Sequence, residues 1–189
     1  MRIAVVGGTG LAGRHVVAEL TARGHRTVVV ARSRGADLVT GQGLDEALAS
    51  VETVVDVANV EATGRKAAEA FFATAGRHLL AAEQRAGVRH HVALSVIGVD
   101  RVGLGYYRGK LRQEQLIEAG PVPWTVLRAA QFHDFADQAL ALVPGPVALV
   151  PRMRSQPVAV EEVAALLADL AVGQPQGRVP EIAGPREES

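Results

Sequence analysis

The chain contains no cysteine, which excludes disulfides, thiolate catalysis and cysteine-based metal sites. Lysine is nearly absent as well: of twenty basic residues all but Lys66 and Lys110 are arginine, so a lysine here is seldom a filler charge. Twenty acidic residues balance the twenty basic ones, and with formal net charge zero no global field draws in nucleic acid or an anionic membrane. No apolar run is long enough to span a bilayer, and the first residues enter a strand pattern directly rather than a signal-peptide pattern. A cytoplasmic location is the default expectation. Internal repeats, low-complexity tracts and interdomain linkers are also missing. With 189 residues, 48% hydrophobic and 21% charged, residues 1–189 read as one globular domain with a substantial core.

What is present is concentrated at the start. Ile3 to Val6 is a short apolar run that reads as a buried strand ending in glycines. Gly8, Gly10 and Gly13 then satisfy G-x-G-x-x-G, and Gly7, Gly10 and Gly13 satisfy G-x-x-G-x-x-G. In a dinucleotide site one such glycine makes the tight turn, one lets the backbone approach pyrophosphate, and one lets helix pack on strand. The helix that follows, Leu11 to Arg23, aims its free N–H groups and positive dipole end at the phosphates. The loop residues Thr9, Gly10 and Leu11 are the strongest candidates for phosphate contact. A glycine-rich turn alone is weak evidence; one set between a strand and an amphipathic helix is not.

Strand-like and helix-like stretches alternate through the remainder, which predicts an α/β fold with a doubly wound, mostly parallel sheet, the Rossmann arrangement. Strands are expected at Arg26–Ala31, more weakly at Ala36–Val39, then at Thr53–Ala58, His91–Ser95 and Trp124–Leu127, with a last short one at Val179–Ala183. Helices are expected at Leu44–Ser50, Arg65–Ala86, Tyr106–Ala119 and Glu161–Ala171. His90 and His91 are neighbours on a strand, so their rings point apart and chelate poorly. With no spaced His/carboxylate cluster either, no metal site is expected.

The end of the second strand bears on cofactor choice. NAD sites usually place an Asp or Glu there to hold the ribose 2′-hydroxyl. This chain reads Val29-Val-Ala-Arg32-Ser33-Arg34, with no acid. A guanidinium cannot accept from a hydroxyl, but its planar fork suits a 2′-phosphate, and Ser33 adds a neutral hydrogen bond. NADP(H) is therefore the expected cofactor, with Arg32 and Arg34 as plain solvated loop charges the ordinary alternative. Arg14 either assists the same phosphate or is a surface helix arginine.

Tyr106 and Lys110 stand at i and i+4, on one face of a helix. An ammonium beside a phenol lowers its pKa and makes tyrosine a usable general acid or base. Spacing alone favours an ordinary aromatic–cation pair on a partly exposed helix.

The ordered series Gly7-Gly-Thr-Gly-Leu-Ala-Gly13, Leu94-Ser-Val-Ile-Gly-Val-Asp100, Tyr106-Tyr-Arg-Gly-Lys110, Pro123-Trp-Thr-Val-Leu-Arg-Ala-Ala-Gln-Phe132 and Gln156-Pro-Val-Ala-Val-Glu-Glu-Val-Ala164 resembles an atypical short-chain dehydrogenase/reductase of the NmrA-like, NAD(P)H-binding branch. The resemblance covers nearly the whole chain. It implies a doubly wound fold, NADP(H) binding, and a Tyr-x-x-x-Lys pair beside the nicotinamide, with Tyr106 as proton donor and Lys110 also orienting ribose. It implies cofactor contact near Ala58 and Asn59, and a substrate wall from Gln131, Phe132 and His133, with Phe135 a further stacking candidate and Asp134 beside it. The expected activity is reduction of a small carbonyl, enone, quinone or flavin-like substrate. Two departures stand out. Where catalytic members carry the second Ser of a Ser-Ser pair this chain has Val96, leaving Ser95 as the candidate hydroxyl on the opposite face of the strand. Relatives also usually continue past Gly184-Pro185 with elements that shape the pocket, so a smaller, more open or partner-completed pocket is expected. A non-enzymatic NADP(H) sensor, a non-redox tailoring role and a homo-oligomer therefore stay open.

Overall fold

Runs of Val, Ile and Ala form the middle of one parallel sheet in the computed structural model, which describes residues 1–60, 65–103, 105–133 and 156–186. The strands are β1 (Arg2–Val6), β2 (Arg26–Val30), β3 (Thr53–Asp56), β4 (His90–Val96), β5 (Trp124–Ala129) and β6 (Gly177–Arg178). They lie in the order β2-β1-β3-β4-β5-β6, every neighbouring pair parallel. Parallel sheets need cover on both faces, and the continuous apolar strands reflect that. On one face α1 (Leu11–Ala22) and α5 (Val160–Val172) bury Ile3, Val5, Val55, Val92 and Leu127. On the other, α2 (Leu44–Ala47), α3 (Arg65–Ala86) and α4 (Gly105–Ala119) cover Ala4, Val6, Val54, Ala93 and Val126. The doubly wound arrangement is the one the alternation of elements predicts.

This topology positions a site. From β1 the chain winds outward to β2, then returns across β1 to build β3 and everything after it. The winding direction reverses between β1 and β3, and the carboxyl ends of those strands border a crevice there. Helices α3 and α4 frame its far side. They touch closely because Gly109 has no side chain: a Cβ there would lie 2.5 Å from the Phe72 ring and 3.0 Å from the Ala68 carbonyl oxygen.

The bounds of α3 agree with the sequence reading at both ends, but two strands do not. No strand forms over Ala36–Val39. Gly35, Gly41 and Gly43 all take positive φ, and the Asp37 carboxylate accepts from the Val39 and Thr40 N–H groups, so the segment closes into turns. The last strand forms at Gly177–Arg178 rather than Val179–Ala183, where Ile182 makes only an isolated bridge to Ala129. Pro180 offers no N–H between them to carry the ladder. The short second helix also stops at Ala47 instead of Ser50. His90 and His91 take separate partners, as strand alternation requires: His90 Nε2 meets Thr125 Oγ1 at 2.8 Å and His91 Nδ1 meets Glu83 Oε1 at 2.8 Å.

Candidate functional site

The near wall of the crevice is the glycine loop. Gly7 leaves β1 with φ at +77°, and its N–H donates to the Val30 carbonyl. A Cβ at Gly7 would lie 3.0 Å from the backbone of Ala58, so the loop rests on the end of β3. Gly13 permits the closest approach: a Cβ there would stand 2.2 Å from the Gly7 carbonyl oxygen and 2.6 Å from Gly8 Cα. Gly10 differs, being exposed with only the Gly7 carbonyl oxygen near its Cβ position, at 3.3 Å. Helix α1 starts just beyond it with no side-chain cap and no acid in its first turn. Among the described residues nothing accepts from the N–H groups of Thr9, Leu11 or Ala12. A positive helix end, free donors and an open glycine form a cradle that fits a pyrophosphate. Arg14 donates to the Thr9 carbonyl at 3.1 Å and so braces the loop.

At the end of β2, Arg32, Ser33 and Arg34 make a single 3₁₀ turn closed by Gly35 in the left-handed conformation. All three are exposed, and neither arginine has an ion-pair partner among the described residues. The nearby acid, Asp37, is occupied by its own turn.

The far wall is built of buried side chains. Lys110 is 4% exposed, and its three ammonium protons have three acceptors: the carbonyls of Ala58 at 3.2 Å and Leu94 at 3.0 Å, and Gln113 Oε1 at 3.0 Å. The Phe72 ring lies 4.8 Å from the same nitrogen. Burial pulls this ammonium down to about 8, against Asp56 and Glu114, which hold it up. Ala58 is fully engaged, its N–H donating to Asp56 Oδ1 at 2.9 Å. Exposed Asn59 accepts from the Val60 N–H.

The expected lowering of the tyrosine pKa by lysine is overturned. The Tyr106 ring packs edge-on against Phe72 and Tyr107, and burial pushes its phenol up to about 12. Lys110 reaches inward to the strand ends, so it offers the phenol no hydrogen bond. Ser95 is 5% exposed and its hydroxyl has no partner among the described residues. By alternation it shares the α4 side of β4 with Ala93, while Val96 faces the other way. Beyond β5, Gln131 is half-buried and accepts from the Val158 N–H; Phe132 bridges to Val158 and packs on the core. His133 is exposed. Phe135 and Asp134 lie outside the described residues.

Four residues escaped the sequence reading. Asp56 and Gln113 join at 2.6 Å beside Lys110. Glu114, 1% exposed, takes a bidentate pair from Arg128 at 2.8 and 3.0 Å, and Arg128 also reaches Asp100 at 3.1 Å. The available signals were an acid and an arginine inside apolar strands, and two polar residues at i+3 and i+4 from Lys110.

Comparison with known proteins agrees with this geometry. Photosystem II assembly factor Ycf39 of Synechocystis sp. is 31% identical over 111 residues, which cover 51% of this chain and 34% of that protein. The match thus spans about a third of that relative's length. Among solved structures, MoeE5 in complex with UDP-glucose and NAD superposes with a TM-score of 0.84 at 20% identity, covering 100% of this chain and 78% of that one. Triphenylmethane reductase of Citrobacter sp. complexed with NADP(H) gives 0.76 at 19% identity, over 100% and 72%. UDP-N-acetylglucosamine 4-epimerase from Bacillus cereus gives 0.77 at 18%, over 100% and 81%. At such identities the likeness is one of fold. The sequence profile of the NAD(P)H-binding family matches residues 7–172, from the glycine loop through α5, and the chain belongs to that family.

Proposed function

We propose that this protein is an NADP(H)-dependent reductase of the atypical short-chain class, acting on a small carbonyl, enone, quinone or flavin-like substrate. One observation carries the reading: an uncapped helix end at the glycine loop stands beside an exposed arginine turn free of acid. The loop N–H groups bind the pyrophosphate, and Arg32 with Ser33 receives the 2′-phosphate. The bound cofactor supplies a hydride. Tyr106 supplies the proton: with its phenol pushed up to about 12 it is neutral at ordinary pH, suited to donate to a substrate oxygen rather than to abstract.

A second reading, a non-catalytic NADP(H) sensor, is favoured by Val96, which leaves the family's usual hydroxyl position apolar. Titrating the protein with NADPH and NADH, then following NADPH consumption over quinones, flavins, enals and ketones, separates the two. The enzyme reading expects a preference for NADPH and turnover of at least one substrate class that Tyr106→Phe abolishes while NADPH affinity holds. Binding without consumption across the panel supports the sensor. A tenfold preference for NADH, about 1.4 kcal/mol, overturns the cofactor assignment.

A further inference from the structure

Lys110 is held in place by residues that touch nothing outside the protein. Asp56, at the end of β3, is 3% exposed and divides its two oxygens between the Ala58 N–H and the Gln113 amide. Gln113, one helical turn after Lys110 and also 3% exposed, returns its own oxygen to the lysine ammonium. The circuit closes at Ala58, whose N–H is taken by Asp56 and whose carbonyl is taken by Lys110. Gly7 of the glycine loop packs on that same Ala58. Ala58 alone thus lies between the ammonium and the floor of the phosphate cradle. The other charged group near the ammonium is Glu114 on α4, itself committed to Arg128; α3 contributes Phe72, and the buried Glu83–His91 pair lies deeper, beside Asp56.

We propose that Asp56 and Gln113 are positioning residues that keep the Lys110 ammonium docked on the Ala58 and Leu94 carbonyls, fixing the crevice floor on which nucleotide binding depends; the last clause rests on the nucleotide reading above. Because they act through Lys110, the direct readout is that lysine.

The chain has only two lysines, so protein labelled with ¹³C- and ¹⁵N-lysine gives one signal for Lys110 and one for the exposed Lys66 as reference. Burial pulls the wild-type Lys110 ammonium down, and its midpoint is expected at about 8. Asp56→Asn removes the negative charge and is expected to lower that midpoint by about one unit. Gln113→Met keeps the volume but removes the acceptor, and is expected to shift it the same way. Gln113→Glu adds a charge beside the ammonium and is expected to move it upward, while replacing the amide that donates to Asp56 with a second carboxylate. Over the same series NADPH affinity is expected to fall about tenfold in Gln113→Met and not to recover in Gln113→Glu, which leaves Asp56 without its amide donor. A Lys110 midpoint indifferent to all three variants overturns the docking. A midpoint that moves while NADPH affinity does not overturns the link to the crevice floor. If wild-type protein binds no NADPH, the nucleotide reading and the crevice link fail together, and the lysine titrations alone decide the docking.

Discussion

The two walls of the crevice are made of different material. The glycine-loop wall is backbone: its shape comes from side chains that are missing, and the N–H groups of Thr9, Leu11 and Ala12 stand free among the described residues. The α4 wall is side chain: Lys110, Gln113, Asp56, Glu114 and Arg128 are buried or nearly so, and every lysine proton is already taken. A wall with open donors can receive a ligand without rearranging. The saturated Lys110–Gln113–Asp56 ring is a frame, and it serves a ligand by holding the strand ends still. The difference also corrects a family-level expectation, since the lysine that should tune a tyrosine is occupied in pinning two strand ends.

The contrast can be broken most forcefully at Arg128. Arg128→Met leaves the 1%-exposed Glu114 carboxylate with only Arg178, 3.7 Å away, in place of its bidentate partner, and is expected to cost about 3 kcal/mol. Urea unfolding measures it; a loss below 1 kcal/mol would mean the α4 wall is not the frame described. Next comes the backbone wall. Gly13→Val drives a side chain into the Gly7 carbonyl, costs about 3 kcal/mol by overpacking, and is expected to abolish NADPH binding. Gly10→Ala, whose methyl meets only the Gly7 carbonyl oxygen at 3.3 Å, should cost much less stability than Gly13→Val while weakening NADPH. Equal effects of the two on stability would erase the distinction between packing glycine and cradle glycine. A smaller effect is expected from Arg32→Ala, which should remove about 1.4 kcal/mol of preference for NADPH over NADH and leave NADH affinity alone.

A control lies away from the crevice. Burial lowers His90 from its ordinary value of 6.5 to about 4. Between those pH values the unfolded chain takes up a proton that the folded chain refuses, so stability present above 6.5 is lost as pH falls towards 4. The slope for one proton is at most about 1.4 kcal/mol per pH unit. His90→Gln should flatten it by that amount, read from urea midpoints across the window, with NADPH affinity unmoved.

How much could be read in advance differs between the walls for the same reason. The strand–glycine–helix unit is contiguous, so turn, helix start and cradle follow from fourteen consecutive residues. The bounds of α3, Arg65 to Ala86, were legible because periodicity and a closing glycine are local signals too. Ala36–Val39 misled because a short apolar run looks like a strand until its flanking glycines choose left-handed turns. Tyr106 and Lys110 were found by spacing, but spacing gives a shared face and says nothing of where an ammonium points.

The amino-acid sequence by itself determined the parallel α/β fold, the glycine cradle and the acid-free arginine turn, because strand–helix alternation, a glycine turn and a strand end are patterns written along the chain. Tertiary structure alone decided what Lys110 does. Its acceptor on Ala58 lies 52 residues away, and Gln113 meets Asp56 across 57. Buried donors must find partners wherever folding brings them. Which carbonyl or carboxylate satisfies them is settled only when strands and helices have packed.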